Sequence, residues 1–336
     1  MTPWVRSALR WAVGGAVLVL ILSQFDAGTV VERLSTVEIP LALPALLGLV
    51  AVHLVAALSW HRLTVVLADV RLDPGSTVRL YYAAQAFGAV TPANLGADVF
   101  RVVAVDPGAG RARLALPVAV QRLTSIAALL LLGAIGLALL PTNAASLPGG
   151  AGLLGGAGLV AATVAVMGAA VAVANLPMLA SEGGGRIRRR MLRLTARLRL
   201  DPTASPGRPR MLAALREGLG LAIVFHTISL MLGLTLVAAV DRGSMGRPLE
   251  VFGALAVARL SLAVPITPNG IGIQEGVLVV LFVGLGLPPD VALAAAVLNR
   301  LALVGTAVIG SIALLRGSGS APVAVVGTSW SRSLDG

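Results

Sequence analysis

Thr267-Pro268-Asn269-Gly270-Ile271-Gly272-Ile273-Gln274-Glu275 interrupts an apolar run, 249–287, that would otherwise read as one membrane-spanning helix. Proline lacks a backbone donor and pushes the residue before it out of the helical region, and Asn and Gly follow it here. A helix broken this way frees backbone groups that lipid cannot satisfy. The break therefore belongs inside protein or against a wet cavity. A second stretch repeats the pattern: Thr91-Pro92-Ala93-Asn94-Leu95-Gly96-Ala97-Asp98, inside the apolar segment 80–105. Both read Thr-Pro-x-x-(Leu/Ile)-Gly, with an acid six or seven residues after the proline. Each segment is expected to form a re-entrant hairpin that enters and leaves the membrane by the same face.

The likeness continues downstream. Gln121-Arg122-Leu123 follows the first break and Asn299-Arg300-Leu301 the second, at nearly equal distances, with Gly133 and Gly310 beyond them. The two stretches, about 80–140 and 249–315, thus form an internal repeat. Full-span candidates lie near 11–25, 40–60, 114–140, 151–175, 217–240 and 291–315, each approaching the roughly 20 apolar residues that cross a bilayer. An odd number of spans separates the hairpins, so the two copies have inverted topology, an architecture that places broken helices near a transporter's midplane. The expected fold is an all-α polytopic integral membrane protein. About six full transmembrane helices and two hairpins form one transmembrane domain over 1–316, followed by a disordered cytoplasmic tail at 317–336.

Composition agrees. Of 336 residues 57% are apolar and only 12% charged, about half the charged fraction of a soluble domain. There is no cysteine, which removes disulfides and thiolate chemistry, and His53, His61 and His226 have no metal-ligand spacing. The net charge is +11, carried by 26 Arg and no Lys. This charge falls in loops between apolar runs, so it reads as topology and attraction to anionic lipid rather than nucleic-acid binding. With the N-terminus in the cytoplasm, Arg33, Arg242 and Arg247 lie outside, Arg122, Arg259 and Arg300 fall within the membrane, and the remaining Arg lie inside. That distribution obeys the positive-inside rule and puts both termini in the cytoplasm of a bacterial-type inner membrane. The first span is expected to be retained rather than cleaved as a signal. Within a basic cytoplasmic segment, 182–216, residues 186–200 form an amphipathic Arg-rich stretch suited to an interfacial helix, and 201–210 a flexible connector.

Arg122 and Arg300 sit eight or nine residues into their spans, about 12–14 Å deep at 1.5 Å per residue. Arginine at that depth costs about 2.5 kcal/mol or more unless paired or hydrated. The repeat offers Asp98 for Arg122 and Glu275 for Arg300, and Arg101 and Arg259 flank the hairpins. Two readings stay open: acid–Arg pairs that only pin each hairpin to the next span, or four Arg lining a cavity for a lipid phosphate, with Asp98 and Glu275 available for proton coupling. The planar guanidinium donates two hydrogen bonds at once to phosphate. His226 and His53 read as interhelical hydrogen-bonding groups, His61 as interfacial, and Gly152, Gly155, Gly156 and Gly158 as helix-packing positions.

The stretch from Val264 to Gly276 with Asn299-Arg300-Leu301 resembles the signature of the lysylphosphatidylglycerol synthase transmembrane-region family, also called flippase-like or UPF0104 membrane proteins. Thr91-Pro92, Gly96, Asp98 and Arg101 resemble its looser first motif, with Asp98 where Glu is more usual. The resemblance covers the chain to about residue 316. It implies flipping of aminoacylated phosphatidylglycerol or a polyprenyl-linked relative, without the soluble domain that performs aminoacyl transfer in multidomain members. The expected function is translocation of an anionic, aminoacylated or polyprenyl-linked lipid headgroup, with membrane lipids as partners and no cofactor or metal. The chain is not expected to be an enzyme: no catalytic constellation stands out, and without Lys there is no Walker loop. A membrane-embedded transferase is the weakest alternative. The stronger one is a non-catalytic subunit or anchor for a cell-envelope glycosyltransferase or lipid-modifying enzyme.

Overall fold

A computed structural model describes residues 27–105, 111–138, 207–263 and 266–317. These residues are helical throughout apart from short turns and the two breaks. In chain order the helices are α1 (Ala27–Ser35), α2 (Ile39–Ala51), α3 (His53–Ala68), α4 (Pro74–Ala89), α5 (Leu95–Val103), α6 (Arg111–Ala138), α7 (Arg208–Val240), α8 (Pro248–Leu260), α9 (Ile273–Gly284) and α10 (Pro289–Gly317).

Four helical stretches are long and apolar enough to cross a membrane: Ile39–Ala68, made of α2 and α3 end to end, Arg113–Gly136, Pro209–Val240 and Pro289–Arg316. They coincide with the runs expected at 40–60, 114–140, 217–240 and 291–315. The spans expected at 11–25 and 151–175 lie outside the described residues, as do the basic stretch 186–200 and nearly all of the tail 317–336. The connector expected over 201–210 yields to helix at Arg208, because Pro209 sits in the first turn of α7, where its missing donor costs nothing. The first broken unit likewise starts earlier than its apolar run, at Pro74. There Asp73 caps α4 by accepting from Ser76 N–H at 3.0 Å, and Pro74 occupies the first helical position.

The two broken units, α4–α5 and α8–α9, pack reciprocally against the long helices that follow them. The first limb α4 lies mainly along α10, and α8 lies mainly along α6. Glycine makes both approaches possible. A Cβ at Gly310 on α10 would stand 2.2 Å from the Tyr82 carbonyl oxygen on α4, and one at Gly136 on α6 would stand 2.2 Å from the Gly253 Cα on α8. Small residues at such crossings let backbones meet where lipid gives no hydrophobic drive between helices. Helix α7 packs on α6, α3 and α2 and so bridges the two halves.

Trp60, Leu63, Leu230, Leu255 and Phe282 are fully buried. Leu43, Leu47, Leu54 and Leu58 on α2–α3, and Leu301, Val304, Val308 and Leu315 on α10, are exposed. These exposed stripes run along helices of spanning length, as expected where hydrocarbon is the solvent.

Candidate functional site

Both breaks use the same backbone device. After each Thr-Pro come two successive left-handed residues: Ala93 (φ 50°) and Asn94 (φ 58°) in the first, Asn269 (φ 45°) and Gly270 (φ 67°) in the second. Left-handed backbone is costly for Ala, about 1–2 kcal/mol, so something must hold it. In each unit the holder is the deep arginine of the following long helix. Arg122 Nη2 donates to Ala93 C=O at 2.6 Å. Arg300 donates through Nη1 to Asn269 C=O at 3.0 Å and through Nη2 to Gly270 C=O at 3.3 Å. The carbonyls freed by the break are thereby satisfied where no water is guaranteed.

The acids complete each unit differently. In the second, Glu275 is buried; one carboxylate oxygen pairs with Arg300 Nε and the other accepts from Gly272 N–H at 2.8 Å, at the start of α9. That ring of contacts is closed on itself. In the first, Asp98 serves two cations, Arg122 Nη1 through one oxygen and Arg101 Nη2 at 2.6 Å through the other. Arg101 is buried, donates also to Gln121 Oε1, and stacks 5.2 Å from the Tyr81 ring and 5.8 Å from the Trp60 ring. Gln121 in turn donates to Ala56 C=O at 2.6 Å.

The tips of the two units meet. Asn269 N–H donates to Thr91 C=O at 3.1 Å, and Pro92 and Pro268 form an isolated antiparallel bridge. Beside this junction lies a cavity of about 270 Å³. Ala93, Asn94 and Asn269 of the breaks line it, with Arg101, Arg122 and Arg259, the carboxylate Asp98, and polar groups from α3, α4, α6, α7 and α10.

The structure brings Arg101, Arg122, Arg259 and Asp98 of the sequence-derived set to this one cavity. Arg300 and Glu275 are not on its wall; they are spent on the second break. Thr91 Oγ1 accepts from Gly96 N–H at 2.7 Å, closing the first turn of α5, whereas its counterpart Thr267 Oγ1 is buried without a partner among the described residues. His226 makes an interhelical contact, Nε2 to Ser125 Oγ at 2.8 Å, and His53 Nδ1 lies 3.1 Å from Leu49 C=O; both also face the cavity. His61 pairs with Thr77 Oγ1 at 3.3 Å outside it.

Sequence reasoning did not place Gln85, Gln121, Ser125, Ser229 or Asn299 at the site, though all are on the cavity wall. A signal existed for two of them. Gln121 and Asn299 each directly precede the deep arginine of their repeat, an amide kept in register with it.

A family model described as the lysylphosphatidylglycerol synthase TM region matches residues 7–310. No curated protein and no solved structure matches the chain.

Proposed function

From the premise that this chain belongs to the lysylphosphatidylglycerol synthase TM region family, and is thus a multi-pass membrane protein, we propose that it translocates lipid headgroups. The headgroup of an anionic, aminoacylated or polyprenyl-linked lipid passes through the Arg-lined cavity while its acyl tails stay in the bilayer. The two broken units act as re-entrant hairpins of an inverted repeat, six full spans surround them, and the protein sits in a bacterial inner membrane with both termini cytoplasmic.

One observation carries this reading. Between helices of spanning length lies a cavity walled by three arginines and both helix breaks. Charges in such a position are costly and mark a substrate path or its counter-ion. The volume, about 270 Å³, is just below the roughly 300–1,000 Å³ of small-ligand sites, so it suits a headgroup and not a whole lipid. The tip junction ties the two repeats by one isolated backbone bridge, a contact light enough to part during transport. No catalytic role is assigned to any residue.

The test is translocation of headgroup-labelled lipids in proteoliposomes of purified protein, against Asp98→Asn and Arg122→Ala. Accelerated loss of the protected inner-leaflet signal, slowed in both variants, supports a translocase. No acceleration with anionic, aminoacylated and polyprenyl-linked lipids sinks it and leaves the anchor for an envelope enzyme standing.

A further inference from the structure

Arg259 stands apart from the other three arginines at the two breaks. Arg122 and Arg300 are bound to carboxylates and break carbonyls, and Arg101 is held by Asp98, Gln121 and two rings. Arg259, at the end of α8, makes a single hydrogen bond among the described residues, Nη2 to Ser229 C=O of α7 at 3.1 Å. Among the described residues no carboxylate lies within ion-pair distance of it. A guanidinium facing a cavity between spanning helices without a counter-ion calls for one from solution or lipid.

Two further groups at the same place are unfilled. Ser229 and His226 line the cavity and are at least nine-tenths buried, and Ser229 Oγ and His226 Nδ1 have no hydrogen-bond partner among the described residues. Buried polar atoms are almost always satisfied, so an orphaned pair beside an unpaired cation marks where a ligand supplies the missing bonds. When the Ser125 hydroxyl donates to His226 Nε2, the imidazole proton sits on Nδ1. The guanidinium fork, the Ser229 hydroxyl and His226 N–H are then three kinds of donor for one oxyanion, and arginine's planar geometry suits phosphate above other anions.

Charge narrows the ligand. The cavity wall carries Arg101, Arg122 and Arg259 against the one carboxylate of Asp98, a balance of two positive charges. We propose that Arg259, Ser229 and His226 form a receptor for a phosphate oxyanion carrying up to two negative charges, supplied by the terminal phosphate or diphosphate of a lipid or by the free ion. For a lipid, the same balance selects against an aminoacylated headgroup, whose ammonium would enter a field already positive. The transport side of this rests on the translocase reading; the binding side does not.

The experiment is titration of the purified full-length protein, in phosphate-free detergent, with dihexanoyl phosphatidic acid, dihexanoyl lysylphosphatidylglycerol and inorganic phosphate. Phosphatidic acid is expected to bind about tenfold or more tighter than the lysyl lipid, and Arg259→Gln to weaken it by about tenfold or more, the loss of a charge-assisted bond. Arg259→Lys, which keeps the charge and loses the fork, falls between. Inorganic phosphate displacing phosphatidic acid at equal concentration keeps the receptor and assigns it to the free ion. Should the glutamine variant misfold, the wild-type ranking of the two lipids decides alone. Equal affinity for both lipids, or binding untouched in a folded Arg259→Gln, overturns the receptor. In proteoliposomes, equal flipping of both lipids sinks the receptor and spares the translocase; Arg259-dependent binding without flipping does the reverse.

Discussion

The two broken units start from one motif and end in different states. The second is closed: Glu275 holds Arg300 and the Gly272 N–H, Arg300 holds two break carbonyls, and none of that arginine or acid faces the cavity. The first is open: one carboxylate, Asp98, is divided between two arginines, and all three side chains reach the cavity wall. On the translocase reading the second is a latch and the first a port. A repeat does not oblige its copies to share a role; one copy can carry rigidity while the other carries charge to a site.

The sharpest way to break this contrast is Glu275→Gln. Glu275 is 4% exposed, and breaking a buried pair by removing one partner costs about 3–5 kcal/mol. The variant should lose most of its thermal stability in detergent, read by a melting curve. Asp98→Asn, at a more accessible pair, should melt closer to wild type while losing headgroup transfer. If both melt alike, the second unit is no more a latch than the first.

The reciprocal packing of the units gives a prediction one step smaller. Gly136→Ala and Gly310→Ala each put a methyl into a backbone of the opposite repeat, and overpacking of this kind costs about 1–3 kcal/mol. Both should lower the melting temperature by similar amounts. A loss confined to Gly310→Ala would mean that only α4 and α10 need their close approach.

What the sequence made legible, and what it hid, follows the same division. Apolar runs of spanning length declare themselves, and four of them stand where hydropathy puts them. Thr-Pro followed by Asn and Gly inside an apolar run declares the breaks, and a spacing of 24 or 25 residues puts each acid within reach of its arginine. Which way a side chain points is another matter. That Arg101 shares Asp98 with Arg122, and that Arg300 turns to carbonyls while Arg259 turns to the cavity, depends on how each broken limb packs on its neighbouring helices, which hydropathy and spacing do not encode. Helix starts were hidden for a local reason: Pro74 and Pro209 lie in polar sequence that hydropathy discounts, yet proline in a first turn begins a helix well.

The threonines sharpen the comparison at the level of one hydroxyl. Thr91 Oγ1 accepts from Gly96 N–H, while Thr267 Oγ1 is buried with no partner among the described residues. Thr91→Val should therefore cost about 1 kcal/mol or somewhat more by orphaning a donor, and Thr267→Val should be neutral or slightly stabilising because it removes an unmet polar group. Paired melting curves decide it; equal losses would place a ligand or water on Thr267.

The smallest effect concerns a clasp outside the membrane that ties the halves together. Glu38, just before α2, accepts from Arg242 Nε at 2.5 Å, and its own N–H donates to Ala239 C=O at the end of α7. The Arg242 hydrogen bonds hold the Glu38 carboxyl below its ordinary value of 4.5, opposed by slight desolvation and aided by the arginine's charge. Since the folded carboxyl titrates below the unfolded one, the clasp contributes fully above about pH 4.5 and is lost as pH falls through the lower, folded value. The pair is exposed, so salt and water screen it heavily. Melting temperatures of wild type and Glu38→Gln should differ slightly at pH 7 and converge as pH falls below 4.5, and added salt should narrow the gap. A gap that widened in acid would mean that Glu38 is stabilised in its protonated form, and the halves would then be held by the Ala239 backbone bond rather than by charge.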